Sequence, residues 1–152
     1  MSDLPVRIVK LEPMIIASVL GFGEEPEMQA WDTLLSWARS KGMNLKNHRF
    51  FGFNNPNPSP GSPNYGYEQW MTINPEEESA DGIEIKEFSG GLYAVTRCEG
   101  LLHISEIWKQ LAIWREESKY QEAAHQWLEE CFTPEATQLE DFVFDLYAPI
   151  AE

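Results

Sequence analysis

The chain is short of positive charge. Its 152 residues carry 11 Lys plus Arg against 25 Asp plus Glu, a formal net charge of −14. A protein that neutralises phosphates needs a basic face, so a direct nucleic-acid binder is disfavoured, as is docking on an anionic membrane. The same deficit favours cationic partners. Cysteine is scarce: Cys98 and Cys131 are the only two, and neither has a partner at metal-ligand or redox-motif spacing. His48, His103 and His125 are too scattered for a metal set, and no Ser-His-Asp or Cys-His arrangement is visible. No metal and no cofactor is therefore expected. The longest apolar run, residues 14–20, is too short to span a bilayer. The opening MSDLPVRIVK lacks the apolar core of a signal peptide, so the expectation is a cytoplasmic, thiol-reduced protein.

Aromatic residues, by contrast, are plentiful: 6 Trp, 5 Tyr and 8 Phe. They suit either a core of large side chains or an aromatic-lined pocket. With 43% hydrophobic residues, the chain can bury a core, and its length suits one domain over 1–152.

Residues 6–11 (VRIVKL) and 14–20 (MIIASVL) read as strands, closed by Gly21 and Gly23. A helix is predicted from about 27 to 41, because Trp31, Leu34, Leu35 and Ala38 recur at helical spacing, with Gly42 as its C-cap. Residues 48–53 form a short strand. NNPNPSPGSPN, 54–64, can only be a loop, and YGYEQWMTI, 65–73, is a strand again. The order then recurs. Strands at 83–88 and 92–98 precede a helix at about 104–117, an ambiguous segment at 124–132 and a strand at 141–150.

A shift of 77 residues lays Val6 on Ile83 and superposes the halves without a gap. Ala17 falls on Ala94, Gly23 on Gly100, Trp31 on Trp108, Trp37 on Trp114 and Trp70 on Tyr147. Two tryptophan pairs in one register carry the argument. The register also makes 124–132 a strand. The predicted fold is α+β: a strand-helix-strand-strand unit used twice, at about 6–73 and 83–150, with pseudo-twofold symmetry and a ligand cleft between the repeats.

The stretches VRIVKLEPMIIASVLGFG, FFGFNNP, YGYEQW, GGLYAVTRCEG, WLEECFTPE and the closing LYAPI resemble, in that order, the GyrI-like small-molecule-binding domain. This is the effector-binding module of AraC-type and MerR-type multidrug regulators. No helix-turn-helix segment precedes Val6, so a stand-alone member is expected, a monomer or homodimer. The resemblance implies a lipophilic, aromatic, often cationic ligand held beside an acidic residue. It admits three activities: hydrolysis of cyclopropane-bearing alkylators for detoxification, sequestration without turnover, or an acidic interaction module acting on a partner such as DNA gyrase.

The resemblance places the family's acidic residue at Glu129, after Leu128. Adjacent strand residues face opposite sides, so only one of Glu129 and Glu130 reaches the cleft. Desolvation among aromatics would raise the pKa of such a carboxylate, which could pair with a cation or act as a general base. Tyr67 and Tyr147 are the candidate hydroxyl donors to developing charge. Trp70, Tyr93, Trp127 and Phe144 are the candidate ligand-binding aromatics. Tyr67 and Trp70 have opposite strand parity, so a regular strand presents only one of them to a given face.

Overall fold

The computed structural model describes residues 4–54, 60–61, 63–80 and 82–152. Of the Pro-rich loop expected at 54–64, residues 55–59 and 62 lie outside the described residues. In chain order the elements are β1 (Arg7–Leu11), β2 (Met14–Gly23), α1 (Pro26–Ser40), β3 (Phe50–Asn54), β4 (Tyr65–Thr72), β5 (Glu84–Phe88), β6 (Gly91–Glu99), α2 (Ile104–Glu117), β7 (Gln121–Glu122), β8 (Leu128–Cys131) and β9 (Val143–Ala151). This is the α+β class, and the 77-residue shift carries β1 onto β5, β2 onto β6, α1 onto α2, β3 onto β8 and β4 onto β9. The ambiguous segment at 124–132 supplies a strand, β8, as the register requires.

The chain forms two compact units, Met14–Phe88 and Met1–Pro13 together with Ser89–Glu152. Each takes the opening strand of the other repeat: β5 pairs with β2, and β1 pairs with β6. No local pattern announces this exchange, because an antiparallel strand is specified by its buried face and not by its partner.

In the Met14–Phe88 unit the antiparallel order is β3-β4-β2-β5. Pro26 starts α1, with Glu27 in its first turn and Arg39 in its last, which suits the helix dipole. The buried stripe of α1 is Ala30, Leu34, Leu35 and Ala38. Its first turn rides directly over Gly21, where a Cβ would stand 2.3 Å from the Pro26 carbonyl oxygen. Trp31 meets Phe50 of β3 edge-on at 5.3 Å.

The other unit has the order β1-β6-β9-β8, with β7 added beside the end of β9. Ala94, Cys98, Leu111, Leu146, Ala148 and Ile150 form its buried core, with Trp108, Trp127 and Phe144 packed against it. Each fully buried leucine there contributes about 1.5–3 kcal/mol. Trp108 meets Trp127 edge-on at 5.6 Å, the repeat counterpart of the Trp31–Phe50 contact. Along β9 the even-numbered residues thus face α2, and Asp145 and Tyr147 face away. No described helix is long and apolar enough to cross a membrane.

Candidate functional site

Residues directly opposed in an antiparallel ladder share a face. In β8, Leu128 opposes Tyr147 and Glu130 opposes Asp145. Glu130 therefore lies on the face turned away from α2. Tyr93 opposes Pro149 and joins the same face through β6. Glu129 opposes Leu146 and so points toward α2, where its Oε2 lies 3.4 Å from the donating Trp108 Nε1. Trp127 and Phe144 belong to that α2 side as well. Of the residues singled out from sequence, the fold brings Tyr147 and Tyr93 together on one face and Glu129, Trp127 and Phe144 together on the other.

The Tyr147 hydroxyl donates to Glu130 Oε1 at 2.6 Å, with Tyr147 2% and Glu130 3% exposed. The Tyr93 ring stands edge-on to Tyr147 at 5.4 Å, and its hydroxyl donates to the Gln126 carbonyl at 2.5 Å. Burial holds the Tyr93 phenol well above its ordinary pKa, so it stays a neutral donor. His125 packs edge-on to Tyr93 at 4.9 Å, with Nε2 2.7 Å from the Leu92 carbonyl oxygen. That approach depends on Gly91, where a Cβ would come within 2.7 Å of the imidazole.

On the same face, Asp145 is clamped by Arg7 from β1 and by Arg97 from β6, the latter at 2.6 Å. The hydrogen bond to Asp145 is the main reason the Arg97 pKa is raised. Asp145 thus meets two guanidinium groups, and Glu130, which accepts from the Tyr147 phenol, also lies within electrostatic reach of Arg97. On the α2 side, burial raises the Cys98 and Cys131 pKa values and keeps both thiols protonated and unreactive.

In the other unit, Tyr67 opposes Gly21 and so lies on the α1 face. Gly52 makes room for it, since a Cβ there would stand 2.1 Å from the Tyr67 hydroxyl oxygen. Trp70 lies on the opposite face between Phe53 at 5.0 Å and Phe88 at 5.2 Å. Its Nε1 is buried without a hydrogen-bond partner among the described residues. Buried Glu68 accepts from Ser18 Oγ at 2.8 Å and from Lys86 Nζ at 2.5 Å.

Sequence reasoning weighed Glu130 and preferred Glu129, and it did not single out the buried acids Asp145 and Glu68. The signal for Asp145 was present, since alternation in DFVFDLYAPI puts it on the face of Tyr147. So was that for Glu130, which the 77-residue shift lays over Phe53 exactly as it lays Tyr147 over Trp70. Among the described residues no group of three or more His, Cys, Asp or Glu could hold a metal ion.

A family model described as Cass2, integron-associated effector binding protein, matches residues 7–150. Comparison with curated proteins gives no significant match. Among solved structures, the chain is similar to the C-terminal domain of EcmrR at a TM-score of 0.74 and 10% identity, covering 99% of each chain. It spans 57% of the EcmrR chain in that protein's DNA complex. A hydrolase from Listeria innocua superposes at 0.70 and 11% identity, with 99% of this chain and 94% of that one covered. SAV2435 bound to tetraphenylphosphonium superposes at 0.61 and 11%, with 97% and 94% covered. At these identities the structural likeness establishes the fold, which is the GyrI-like effector-binding one.

Proposed function

The chain belongs to the Cass2 family of integron-associated effector binding proteins, and from that premise we propose that it binds a lipophilic aromatic cation. The counter-charge is Glu130, on the face of the Ser89–Glu152 sheet turned away from α2. The observation that carries this reading is the buried Glu130–Tyr147 pair, a carboxylate with a neutral hydroxyl set beside the Tyr93 ring. A carboxylate this far from water attracts an arriving cation more strongly than a solvated one does. The aromatic edges around it suit a planar or propeller-shaped aryl ligand. The cation bound by SAV2435, tetraphenylphosphonium, is of this class. The net charge of −14 steers such ligands inward.

Glu130, and not Glu129, takes the acidic role in this assignment, because Glu129 points toward Trp108 of α2. Tyr147 and Tyr93 are the ligand-facing aromatics, and Trp127 and Phe144 support them from the α2 side. Calorimetric titration with tetraphenylphosphonium tests the reading. Glu130→Gln is expected to weaken the cation by about 1–3 kcal/mol and tetraphenylmethane-like neutral ligands much less. Equal loss for both would make Glu130 a structural residue, and no loss would remove it from the site.

A second reading is favoured by one observation, the convergence of a carboxylate and a hydroxyl within 2.6 Å. In this reading a water, deprotonated by Glu130, opens the strained ring of a cyclopropane-bearing alkylator. The water oxygen forms the new C–O bond as the ring C–C bond breaks, its electron pair passes to the conjugated carbonyl oxygen, Tyr147 turns its hydroxyl from Glu130 to that oxygen, and the proton held by Glu130 is then delivered to the product. Mass analysis after incubation should show a gain of one water, lowered about 10²–10⁴-fold in Glu130→Gln. Without that mass gain in the wild type, the protein binds and does not turn over.

A further inference from the structure

We propose that the outer margin of β2, residues 19–23, docks an extended, positively charged segment of another protein. The register of β5 on β2 ends with Glu84 opposite Ser18. Beyond that point β2 pairs only with β4, and among the described residues no strand lies on its other side. Such an edge presents main-chain donors and acceptors at strand spacing, which only another extended backbone matches.

Edges of this kind are ordinarily guarded by charge. The repeat supplies an internal control. The positions equivalent to Leu20 and Phe22 are Arg97 and Glu99 of β6, a guarded pair at the corresponding margin. On β2 the guard is missing: Leu20 and Phe22, two residues apart and hence on one face, are each 57% exposed. They offer two apolar contacts to alternate side chains of an added strand.

Charge decides the occupant. Exposed Glu24 and Glu25 stand at one end of the margin, and at the other stands Glu84, 70% exposed and only loosely paired with Lys86 at 3.7 Å. A second copy of this chain would bring its own glutamates against these acids. A segment with Lys or Arg at its ends and apolar residues between them would be complementary throughout.

The test uses a fluorescein-labelled hexapeptide, Lys-Val-Thr-Val-Thr-Lys, read by anisotropy, with amide hydrogen exchange on the full chain. The lysine-ended peptide should bind at least about tenfold more tightly than a glutamate-ended one, an effect that weakens with salt. It should slow exchange within residues 19–23, and a peptide with proline for its second valine should not bind. Leu20→Arg with Phe22→Glu installs the guarded pair of the other unit without changing net charge. That variant should lower peptide affinity at least about tenfold while its melting temperature and tetraphenylphosphonium binding stay as in the wild type. Four results would overturn the proposal: no binding at millimolar peptide, equal binding of the glutamate- or proline-containing peptide, unchanged affinity in the double variant, or a concentration-dependent dimer that the double variant abolishes. The last would make a second copy the occupant.

Discussion

The two units are built on one register, yet they agree on one sheet face and differ on the other. Toward the helices the match is close: Trp31 on Phe50 repeats as Trp108 on Trp127, and Leu34 repeats as Leu111. On the opposite face, the apolar pair Phe53–Trp70 corresponds to the polar pair Glu130–Tyr147. β4 and β9 each bury a carboxylate at the same repeat position, but Glu68 meets one lysine and a serine, whereas Asp145 meets two arginines. The lesson is that helix-on-sheet packing constrains both copies of the repeat alike. The other face differs between them, an apolar aromatic pair in one copy and a carboxylate–phenol pair in the other.

The largest expected effect sharpens the carboxylate comparison. Asp145→Asn leaves two guanidinium groups without their anion, and should cost about 2–4 kcal/mol in urea unfolding, discounted because both arginines are half exposed. Glu68→Gln should cost about 1–2 kcal/mol, since Ser18 can still be bonded by the amide. Equal costs would mean that the number of cations is not what separates the two strands. Next comes Gly52, whose counterpart is Glu129. Gly52→Ala should destabilise by about 1–3 kcal/mol through collision with Tyr67, and Tyr67→Leu should recover much of that loss. Glu129→Ala, by contrast, should stay within about 1 kcal/mol. A tolerated Gly52→Ala would show that the α1 face is looser than its counterpart.

The smallest effect concerns alkaline pH. Burial raises the Tyr93 pKa above the usual 10.0. Its contribution is therefore fully present below about pH 10 and is lost as pH rises through the folded-state value. Tyr65 is pushed up to about 12, first by burial and then by its hydrogen bond to Glu27. Melting temperature followed from about pH 9 to 12 should fall less steeply in Tyr93→Phe than in Tyr65→Phe, because Tyr93 is the more deeply buried phenol. The reverse order would place the greater desolvation in the Met14–Phe88 unit.

Much of this architecture was legible before any coordinates. The tryptophan pairs fixed the 77-residue register, and the register turned the ambiguous 124–132 into strand β8. The parity argument that separated Tyr67 from Trp70 describes their actual faces. Which of the adjacent glutamates is the more buried was harder to read. Adjacent Glu129 and Glu130 occupy a strand of four residues, too short for alternation to show its phase, and that phase is set by pairing with β9. The ion pairs of Asp145 were hidden for a related reason. Arg7 lies 138 residues away in sequence, and only the exchange of β1 brings it near.

That exchange also governs how the molecule can be made. β1 is synthesised well before its hydrogen-bonding partner β6 and before Asp145, which anchors it. β2 likewise waits for β5 before one of its two sides is covered. Neither repeat is thus a self-sufficient folding module. A gene cut at the repeat boundary would yield an amino-terminal fragment with an orphan strand and a carboxy-terminal fragment lacking the edge of its sheet. The two pieces should recover native structure only when mixed, by trading those strands, and the intact chain should fold slowly for its size because the β1 contacts close a loop of 138 residues.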